Sequence, residues 1–386
     1  MRNGGNLKHR EVTVLGAGIG GLATALALAR HGASVRIFEQ SQEIGAFGAG
    51  LQISPNGMAV LRAVGVEREI LERSGASGAV LLRSGASGRV ALRMGLPEGF
   101  RLIHRGDLVS VLAAAAVAAG VEIVTGCRAN GVTVGRDVAN VSFDDGQDRS
   151  CELLIGADGV RSVLRAEIAP SQPFFTGQVA WRATVPDTSG LPCEADVFMG
   201  AGRHLVRYPL PARGLINLVG VEERTEWAEE SWTASGAPAD FQAAFSGFCP
   251  EVREVVERVD QVRLWGLFRH PVAPLWHRGV AALVGDAAHP TLPFLAQGAN
   301  LALEDAFVLA DCLSDRPPPA AFRLYQQRRR DRVVRAITAA NGNARNYHLG
   351  GAQRLVAHAG LRAISAVAPA LMLRRFDWLY GHDVTA

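Results

Sequence analysis

The stretch EVTVLGAGIGGLATALALARHGASVRIFEQ, residues 11–40, decides the fold of this 386-residue chain. It predicts an apolar strand, a turn with the spacing Gly16-x-Gly18-x-x-Gly21, a helix, and a second strand that ends at Glu39. In such a turn the first glycine permits the tight bend, the second lets the backbone approach a pyrophosphate, and the third lets the helix pack closely on the strand. The carboxylate after the second strand can accept hydrogen bonds from ribose hydroxyls. The stretch therefore predicts a βαβ unit that binds a dinucleotide, either NAD or FAD.

Two later corners repeat this arrangement of a buried strand, a turn and a helix. LLIGADGVRSVLR, residues 153–165, places Asp158 after a strand, and LVGDAAHPTLPFLAQGANLALEDA, residues 283–306, places Asp286 after another. A simple turn or a helix cap is the alternative interpretation of Asp158. Ligands of open α/β sheets bind outside the carboxyl ends of the strands. We therefore expect one extended dinucleotide to contact all three corners, although they are far apart in the chain.

The composition argues against several other functions. The net charge of +3 is small and dispersed, so no nucleic-acid partner is expected. The only lysine, Lys8, lies in the N-terminal tail, which argues against Schiff-base chemistry. Five well-separated cysteines without a C-x-x-C pair predict reduced thiols in a cytoplasmic protein, with no structural metal. Neither a signal peptide nor a membrane span is expected from the apolar stretches.

Four motifs together resemble those of one enzyme family. They are GAGIGG (16–21) with Glu39, HRGDL (104–108), GADG (156–159) and GDAAHP (285–290). On these motifs the chain resembles the single-component FAD-dependent aromatic hydroxylases, which include the salicylate and para-hydroxybenzoate hydroxylases. The sequence FDWLYGHDV near the C-terminus is similar to the salicylate-hydroxylase branch. The resemblance favours FAD over NAD as the bound cofactor.

The resemblance also implies roles for individual residues in FAD binding. It implies that Glu39 holds the adenosine ribose, that Arg105 holds the pyrophosphate region, and that Asp286 holds the ribityl chain. Asp158 belongs to a motif that serves both FAD and the nicotinamide donor. The helix start Gly298-Ala299-Asn300 is expected to face the pyrimidine edge of the isoalloxazine ring. N–H groups and a positive helix end at that edge stabilise a reduced, anionic flavin.

A reaction is implied by the same resemblance. NADH or NADPH reduces FAD, molecular oxygen adds to form a flavin hydroperoxide, and the distal oxygen is transferred to the electron-rich ring of a small phenolic or heteroaromatic acid. No second G-x-G-x-x-G motif follows residue 21, so the nicotinamide donor is expected to bind only transiently. The enzyme is expected to be a monomer or a homodimer.

These inferences predict an α/β fold with three parts. A Rossmann-like FAD-binding domain is expected to be discontinuous, a mainly antiparallel-sheet domain is expected to bind the substrate, and a helical tail follows. The predicted ranges are 1–75, 100–170 and 265–315 for the FAD-binding domain, 76–99 and 173–264 for the substrate domain, and 320–386 for the C-terminal helical segment.

The predicted strand RHLVRYPL, residues 203–210, carries the candidate catalytic residues. Alternation along a strand places His204 and Tyr208 on one face, where both are expected to contact the substrate. Histidine has a suitable unperturbed pKa to take the proton of a phenol. Arg182 is a candidate partner for a substrate carboxylate. The alternatives are that His204 and Tyr208 only pack within the sheet and that Arg182 lies at the surface or between domains. His289, in the third corner, is expected to have a structural role.

Two other classes of function stay open on the sequence. One is another FAD oxidoreductase on the same fold, such as an oxidase, a ring reductase or a halogenase. A halogenase would be expected to place a lysine in the channel between flavin and substrate, and Lys8 is poorly placed for that. The other class is a flavin-binding redox sensor without turnover.

Overall fold

A computed structural model describes residues 6–45, 49–225, 235–367 and 369–386. Within these ranges the chain forms a mixed α/β structure with a mainly parallel sheet, a large, mainly antiparallel sheet, two small sheets and a group of C-terminal helices. The predicted fold class is thereby confirmed.

The strands are short in the first half of the chain and longer in the middle. In chain order they are β1 (Glu11–Leu15), β2 (Ser34–Phe38), β3 (Gly50–Ile53), β4 (Ser74–Ala76), β5 (Ala79–Ser84), β6 (Val90–Gly95), β7 (Arg101–His104), β8 (Glu122–Val124), β9 (Ala129–Val134), β10 (Ala139–Phe143), β11 (Asp148–Cys151), β12 (Leu154–Gly156), β13 (Phe174–Pro186), β14 (Ala195–Gly200), β15 (Arg203–Leu210), β16 (Leu215–Glu223), β17 (Ser235–Gly236), β18 (Val262–Arg269), β19 (His277–Arg278) and β20 (Ala281–Leu283).

The helices lie between the strands and dominate the last third of the chain. In chain order they are α1 (Ile19–Arg30), α2 (Pro55–Ala63), α3 (Glu67–Glu72), α4 (Arg105–Ala118), α5 (Val163–Ile168), α6 (Pro238–Phe245), α7 (Pro250–Glu257), α8 (Gly298–Asp315), α9 (Pro318–Tyr347), α10 (Gly351–Val367), α11 (Pro369–Arg374) and α12 (Asp377–Tyr380).

The parallel sheet brings the three corners of the sequence together. Its strand order is β19-β20-β12-β1-β2-β8, and only the edge strand β19 is antiparallel to its neighbour. In the register of this sheet Leu15 pairs with Gly156, and Gly156 pairs with Leu283. Because parallel strands end at the same edge, the turns after β1, β12 and β20 lie side by side. The prediction that the three distant corners meet at one edge is confirmed, and binding of a ligand at this edge stays a prediction.

The large sheet has one face that is covered by α6, called the sealed face below, and one face that is directed at the rest of the protein. Its strand order is β17-β18-β13-β16-β15-β14-β5-β6. On one face Leu205 and Phe198 pack with Phe241 and Phe245 of α6 in a buried apolar cluster. On the other face Val221 belongs to a separate cluster that includes residues of the loop before α8. The second face is therefore the one available to a site shared with the parallel sheet.

The C-terminal helices pack against the edge strands β19 and β6 of the two larger sheets. The 30-residue helix α9 packs against α8, and α10 and α11 lie against β6. Among the described residues no helix is both long enough and apolar enough to cross a membrane.

Candidate active site

At the first corner only glycine fits two of the three predicted positions. Gly16 has a φ of +96°, and a Cβ there would lie 2.6 Å from the carbonyl oxygen of Ala157. A Cβ on Gly21 would lie 1.9 Å from the carbonyl oxygen of Gly16. A Cβ on Gly18, in contrast, would meet no atom within 4 Å. This open position lies at the start of α1, where N–H groups without intrahelical partners favour an anion. The corner has the shape and polarity that a pyrophosphate requires.

Glu39 is fixed directly beside this corner by backbone hydrogen bonds. Its Oε2 accepts from the N–H of Ala17 at 2.7 Å, and its Oε1 accepts from the N–H of Ser41 at 2.8 Å. A carboxylate has about four acceptor sites, so both oxygens can still accept from hydroxyls of a ligand. The end of β2 therefore holds a carboxylate acceptor next to the glycine turn.

The second corner is tied to the third by an arginine. Oδ2 of Asp158 accepts from the N–H of Val163 at 2.8 Å. The alternative that Asp158 only caps a helix therefore accounts for one of its two carboxylate oxygens. Arg165, on α5, is buried and donates to the carbonyl oxygens of Ala287 at 3.0 Å and Ala288 at 2.9 Å. The sequence does not indicate this link, because the partners are more than a hundred residues apart and the acceptors are backbone atoms without a sequence signature.

The carboxylate of Asp286 accepts no hydrogen bond from the described part of the chain. The side chain is accessible to solvent, yet desolvation by the surrounding protein raises its pKa, and the nearby charge of Arg105 opposes that effect. Burial lowers the pKa of Arg105, while Asp286 and Glu39 act to raise it. Three residues predicted to bind FAD thus lie close enough to influence one another's charge. An accessible carboxylate with open acceptor sites, close to Arg105, suits a ligand with hydroxyl groups.

The start of α8 offers its backbone, while the side chain of Asn300 is already engaged. Asn300 is fully buried, its Oδ1 accepts from the N–H of Ser54 at 3.1 Å, and its Nδ2 donates to the carbonyl oxygens of Gln52 and Ala296 at 3.1 and 2.8 Å. Ala296 itself has a φ of +51°, a strained conformation for a residue with a Cβ. Asn300 therefore fixes the helix start against β3. Among the described residues the first backbone bond of this helix runs from the N–H of Leu301 to the carbonyl oxygen of Gln297, so the N–H groups of the preceding residues 298–300 remain for a ligand.

A buried network of charges lies behind the third corner. Nε2 of His289 lies 2.5 Å from Oδ2 of Asp305, and Nε of Arg329 donates to Oδ1 of Asp305 at 2.7 Å. Arg329 also pairs with Glu304, which accepts from Arg332 at 2.7 and 2.8 Å. Burial acts to raise the pKa of both carboxylates, but the paired cations outweigh it and the pKa of each is lowered. The expected structural role of His289 agrees with its contact to Asp305.

Strand β15 alternates as the sequence predicts. Leu205 lies in the cluster on the sealed face, whereas Val206 packs in the cluster on the opposite face. His204 is on the same side as Val206, with its ring centroid 5.5 Å from that of Phe294 and 5.3 Å from that of Tyr347. The face that carries His204 is therefore directed toward the loop that leads into α8.

His204 is bound to a partner that the sequence did not indicate. Its Nδ1 lies 2.7 Å from Nε2 of His348, a residue 144 positions further along the chain. Burial, and then the charge of His348, lower the pKa of His204 well below its ordinary value, so the imidazole is neutral at neutral pH. Its Nε2 has no hydrogen-bond partner among the described residues.

Tyr208 and Arg182 lie together on the same face of the sheet. Burial raises the pKa of the Tyr208 phenol well above its usual value, so this group is protonated, and Asn217 pairs with Tyr208 in the register of the sheet. Arg182 lies with its guanidinium 5.0 Å from the ring centroid of Trp265. Burial lowers the pKa of Arg182, the neighbouring Tyr208 acts in the opposite direction, and the charge of Arg105 adds to the lowering. Through Arg105 the substrate-side residues and the FAD-side residues share one electrostatic environment.

Comparisons with known proteins agree with this geometry. The model of the family described as "FAD binding domain" matches residues 9–340. A 3-amino-4-hydroxybenzoate 2-monooxygenase of Streptomyces cremeus is 37% identical, covering 88% of each chain. A 3-hydroxybenzoate 6-hydroxylase of Polaromonas naphthalenivorans is 34% identical, covering 97% of this chain and 96% of that protein. A solved salicylate hydroxylase substrate complex, 22% identical, superposes with a TM-score of 0.82 over 98% of this chain and 96% of its own.

The chain belongs to the family of FAD-dependent aromatic hydroxylases. It is a flavoprotein monooxygenase, and reducing equivalents from NADH or NADPH are typical of the family. The residues present fit FAD, since the open cradle at Gly18 suits its pyrophosphate and the unengaged carboxylate of Asp286 suits its hydroxyls.

Proposed function

We propose that this chain hydroxylates a small aromatic acid that carries a ring hydroxyl, with molecular oxygen as co-substrate and NADH or NADPH as transient electron donor. The observation that carries the proposal is a set of three polar groups on one sheet face. These are a neutral imidazole at His204, a protonated phenol at Tyr208 and a guanidinium at Arg182. Relatives named for hydroxybenzoates support the choice of acid.

Arg182 supplies the argument for a carboxylate on the substrate. No carboxylate pairs with Arg182 in the described ranges, and its Nε is buried without a hydrogen-bond partner. A desolvated cation without a counter-ion is costly, and arginine binds carboxylates through paired N–H groups. A carboxylate on the ring of the substrate provides the missing partner.

His204 and Tyr208 supply the argument for a ring hydroxyl. Because Nδ1 of His204 is engaged by His348, the free Nε2 is the nitrogen that faces a ligand. A phenol reacts faster with an electrophilic oxygen after it loses its proton, and a neutral imidazole within hydrogen-bonding distance takes that proton as a general base. The protonated Tyr208 donates a hydrogen bond to another oxygen of the ring. His204 and Tyr208 are the catalytic residues in this proposal, and Arg182 positions the substrate.

FAD, when bound, supplies the activated oxygen that is transferred to the ring. Glu39, Arg105, Asp158 and Asp286 would hold it, together with the N–H groups at the start of α8 and the glycine cradle of α1. The protein orients the ring of the substrate, excludes water and controls the phenolic proton. We further propose a cytoplasmic location, since the five cysteines are free thiols, and a monomeric or homodimeric state.

Oxygen uptake driven by NADH or NADPH tests the proposal. We expect 3-hydroxybenzoate or salicylate to stimulate uptake and to yield a hydroxylated product, whereas benzoate, the matched acid without a hydroxyl, yields none. Uptake that does not depend on any aromatic acid and ends in hydrogen peroxide would show an oxidase instead. Flavin that is reduced by neither donor, with any of the acids present, would show a binding protein without turnover.

A further inference from the structure

Three side chains from separate elements form a continuous line at the edge of the large sheet. Nδ1 of His204, on β15, lies 2.7 Å from Nε2 of His348, which directly follows α9. Nδ1 of His348 lies 2.7 Å from Oε1 of Glu223, the last residue of β16. Both distances are those of hydrogen bonds. The active-site histidine is thus connected through a second histidine to a carboxylate.

The exposure of these side chains increases along the line. His204 is 2% exposed and His348 is 8% exposed, whereas the side chain of Glu223 is 55% exposed. The line therefore begins at a buried group on the substrate-facing side of the sheet and ends in water. A buried base that takes a proton needs such a connection if the proton is to leave the site.

The carboxylate sets the direction of every hydrogen bond in the line. An ionised glutamate only accepts, so Nδ1 of His348 must donate to Glu223. A neutral His348 then has its lone pair on Nε2 and accepts from Nδ1–H of His204. A neutral His204 in turn has its lone pair on Nε2, the nitrogen without a hydrogen-bond partner in the described chain. Glu223 thereby selects the tautomer in which His204 presents a base to the substrate.

The backbone around Gly202 holds both ends of the line. The N–H of Gly202 donates to the carbonyl oxygen of His348 at 3.1 Å, and its carbonyl oxygen accepts from the N–H of Glu223 at 2.8 Å. The other groups against the line are the rings of Phe294 and Tyr347 and the cation Arg203, which acts on His348. Among these neighbours Glu223 is the group that accepts a proton from His348 and exchanges it with water.

We propose that His348 and Glu223 are positioning residues that form a proton relay for His204, an inference that rests on the proposed function. The substrate phenol gives its proton to Nε2 of His204, Nδ1–H of His204 passes to Nε2 of His348, and Nδ1–H of His348 passes to the carboxylate of Glu223. One proton enters the line and one leaves it to water. When the hydroxylated ring regains aromaticity, its oxygen takes a proton from Nε2 of His204. The same bonds then return a proton from water, which restores the starting tautomers.

Proton release on substrate binding tests the relay without turnover. The oxidised, FAD-loaded protein is mixed rapidly with 3-hydroxybenzoate or salicylate in a weakly buffered solution that contains a pH-indicator dye, and absorbance of the phenolate is followed in parallel. We expect His348→Gln to slow proton release by about 10²-fold, at the lower end of the usual effect of lost acid–base help, with less than about threefold change in substrate affinity. Glutamine keeps a donor and an acceptor but does not pass a proton between its two ends.

Two further variants separate the relay from a structural role. Glu223→Gln is expected to slow release in the same way, and Glu223→Asp is expected to restore most of the rate because it keeps the carboxylate. Glu254→Gln removes a charge from an exposed residue on α7 and is the matched control, with a wild-type rate expected. If His348→Gln does not fold with FAD, the exposed Glu223 pair decides the question.

The outcomes distinguish the relay from the proposed function. Wild-type rates of proton release in the Glu223→Gln and His348→Gln proteins would overturn the relay, and would leave His204 as a base that exchanges protons by another route. A wild-type protein that binds and ionises no ring-hydroxylated aromatic acid would overturn the proposed function, and the relay with it.

Discussion

Nε of Arg329, in α9, donates to Oδ1 of Asp305, in α8, at 2.7 Å, and both side chains are completely buried. The other carboxylate oxygen of Asp305 accepts from the N–H of Gly285 at 3.0 Å, the residue directly before Asp286. One buried ion pair therefore connects the C-terminal helices to the third corner of the parallel sheet. The C-terminal helices thereby fix the backbone directly before Asp286, the residue proposed to hold FAD.

Replacing Arg329 by leucine should destabilise the fold strongly. The variant would remove the arginine partner of Asp305 and one of the two cations of Glu304. Removing one partner of a buried ion pair typically costs about 3–5 kcal/mol, because the remaining charge is uncompensated. Urea unfolding of the FAD-loaded protein measures this loss. Arg328→Leu is the matched control, since that neighbouring arginine is partly exposed and its pair with Asp311 lies at the surface. Equal losses for the two variants would contradict the argument.

FAD should be released by acid, because its proposed contacts are hydrogen bonds and charges. We expect trichloroacetic acid to precipitate a colourless protein and to leave one FAD per chain in the supernatant. Yellow colour that stays with the precipitate would show a covalent link. A supernatant that contains FMN without adenine would contradict the roles of Glu39 and of the glycine cradle.

Asp286→Ala should weaken FAD binding much more than it alters the choice of substrate. A hydrogen bond to a charged group is worth roughly 1.5–3 kcal/mol, which corresponds to about 10- to 150-fold in affinity. Fluorescence titration of the FAD-free protein with FAD measures the dissociation constant. An unchanged constant would refute the assignment of Asp286 to the ribityl hydroxyls.

The same carboxylate should destabilise the protein when FAD is absent. Because desolvation raises the pKa of Asp286 in the folded state, the folded protein holds this proton more tightly than the unfolded chain. The contribution of this group to stability is then lost as the pH rises through the raised pKa. We therefore expect FAD-free Asp286→Asn to resist urea better than the FAD-free wild type at pH 7. The difference should vanish below the ordinary pKa of aspartate, about 3.9. A constant difference across this range would show a cause other than charge.

Much of this fold could be predicted because its signals are local. The spacing of Gly16, Gly18 and Gly21 indicates a strand, a turn and a helix within one short stretch, and the three strand ends form one edge because parallel sheets place them there. The alternation of His204 and Leu205 between two faces follows from strand geometry alone. These features require no knowledge of which distant segments meet. The boundaries of the two domains remain a prediction.

The unpredicted parts of the site depend on contacts between distant segments. Arg329 belongs to an arginine-rich helix whose sequence is typical of a solvated surface, and only the packing of α9 on α8 buries it. His348 meets His204 only because α9 ends beside the large sheet. Arg165 binds backbone carbonyls, which leave no trace in the sequence. Side chains that complete a site from another element are therefore the hardest to predict from one sequence.

The role proposed for His204 leads to a prediction about how well electron transfer is coupled to hydroxylation. Without the imidazole the phenol keeps its proton and reacts slowly, while Arg182 and Tyr208 still bind the acid. We expect His204→Ala to bind the acid somewhat more weakly and to lower the hydroxylation rate by about 10²–10⁴-fold. Most of the oxygen consumed should then appear as hydrogen peroxide, which a peroxidase-coupled assay measures beside the hydroxylated product.

Two control variants test whether the effect of His204→Ala comes from the loss of a base. Val206→Ala changes the packing on the same sheet face and removes no titratable group, so it should keep the wild-type ratio of product to peroxide. His204→Gln should resemble the alanine variant in coupling, because glutamine fills the space and forms hydrogen bonds but is not a base at neutral pH. If His204→Gln hydroxylates at the wild-type rate, His204 is a packing residue. Strand β15 would then keep its place in the fold, and the base would have to be sought among the other groups on that face, beginning with Tyr208.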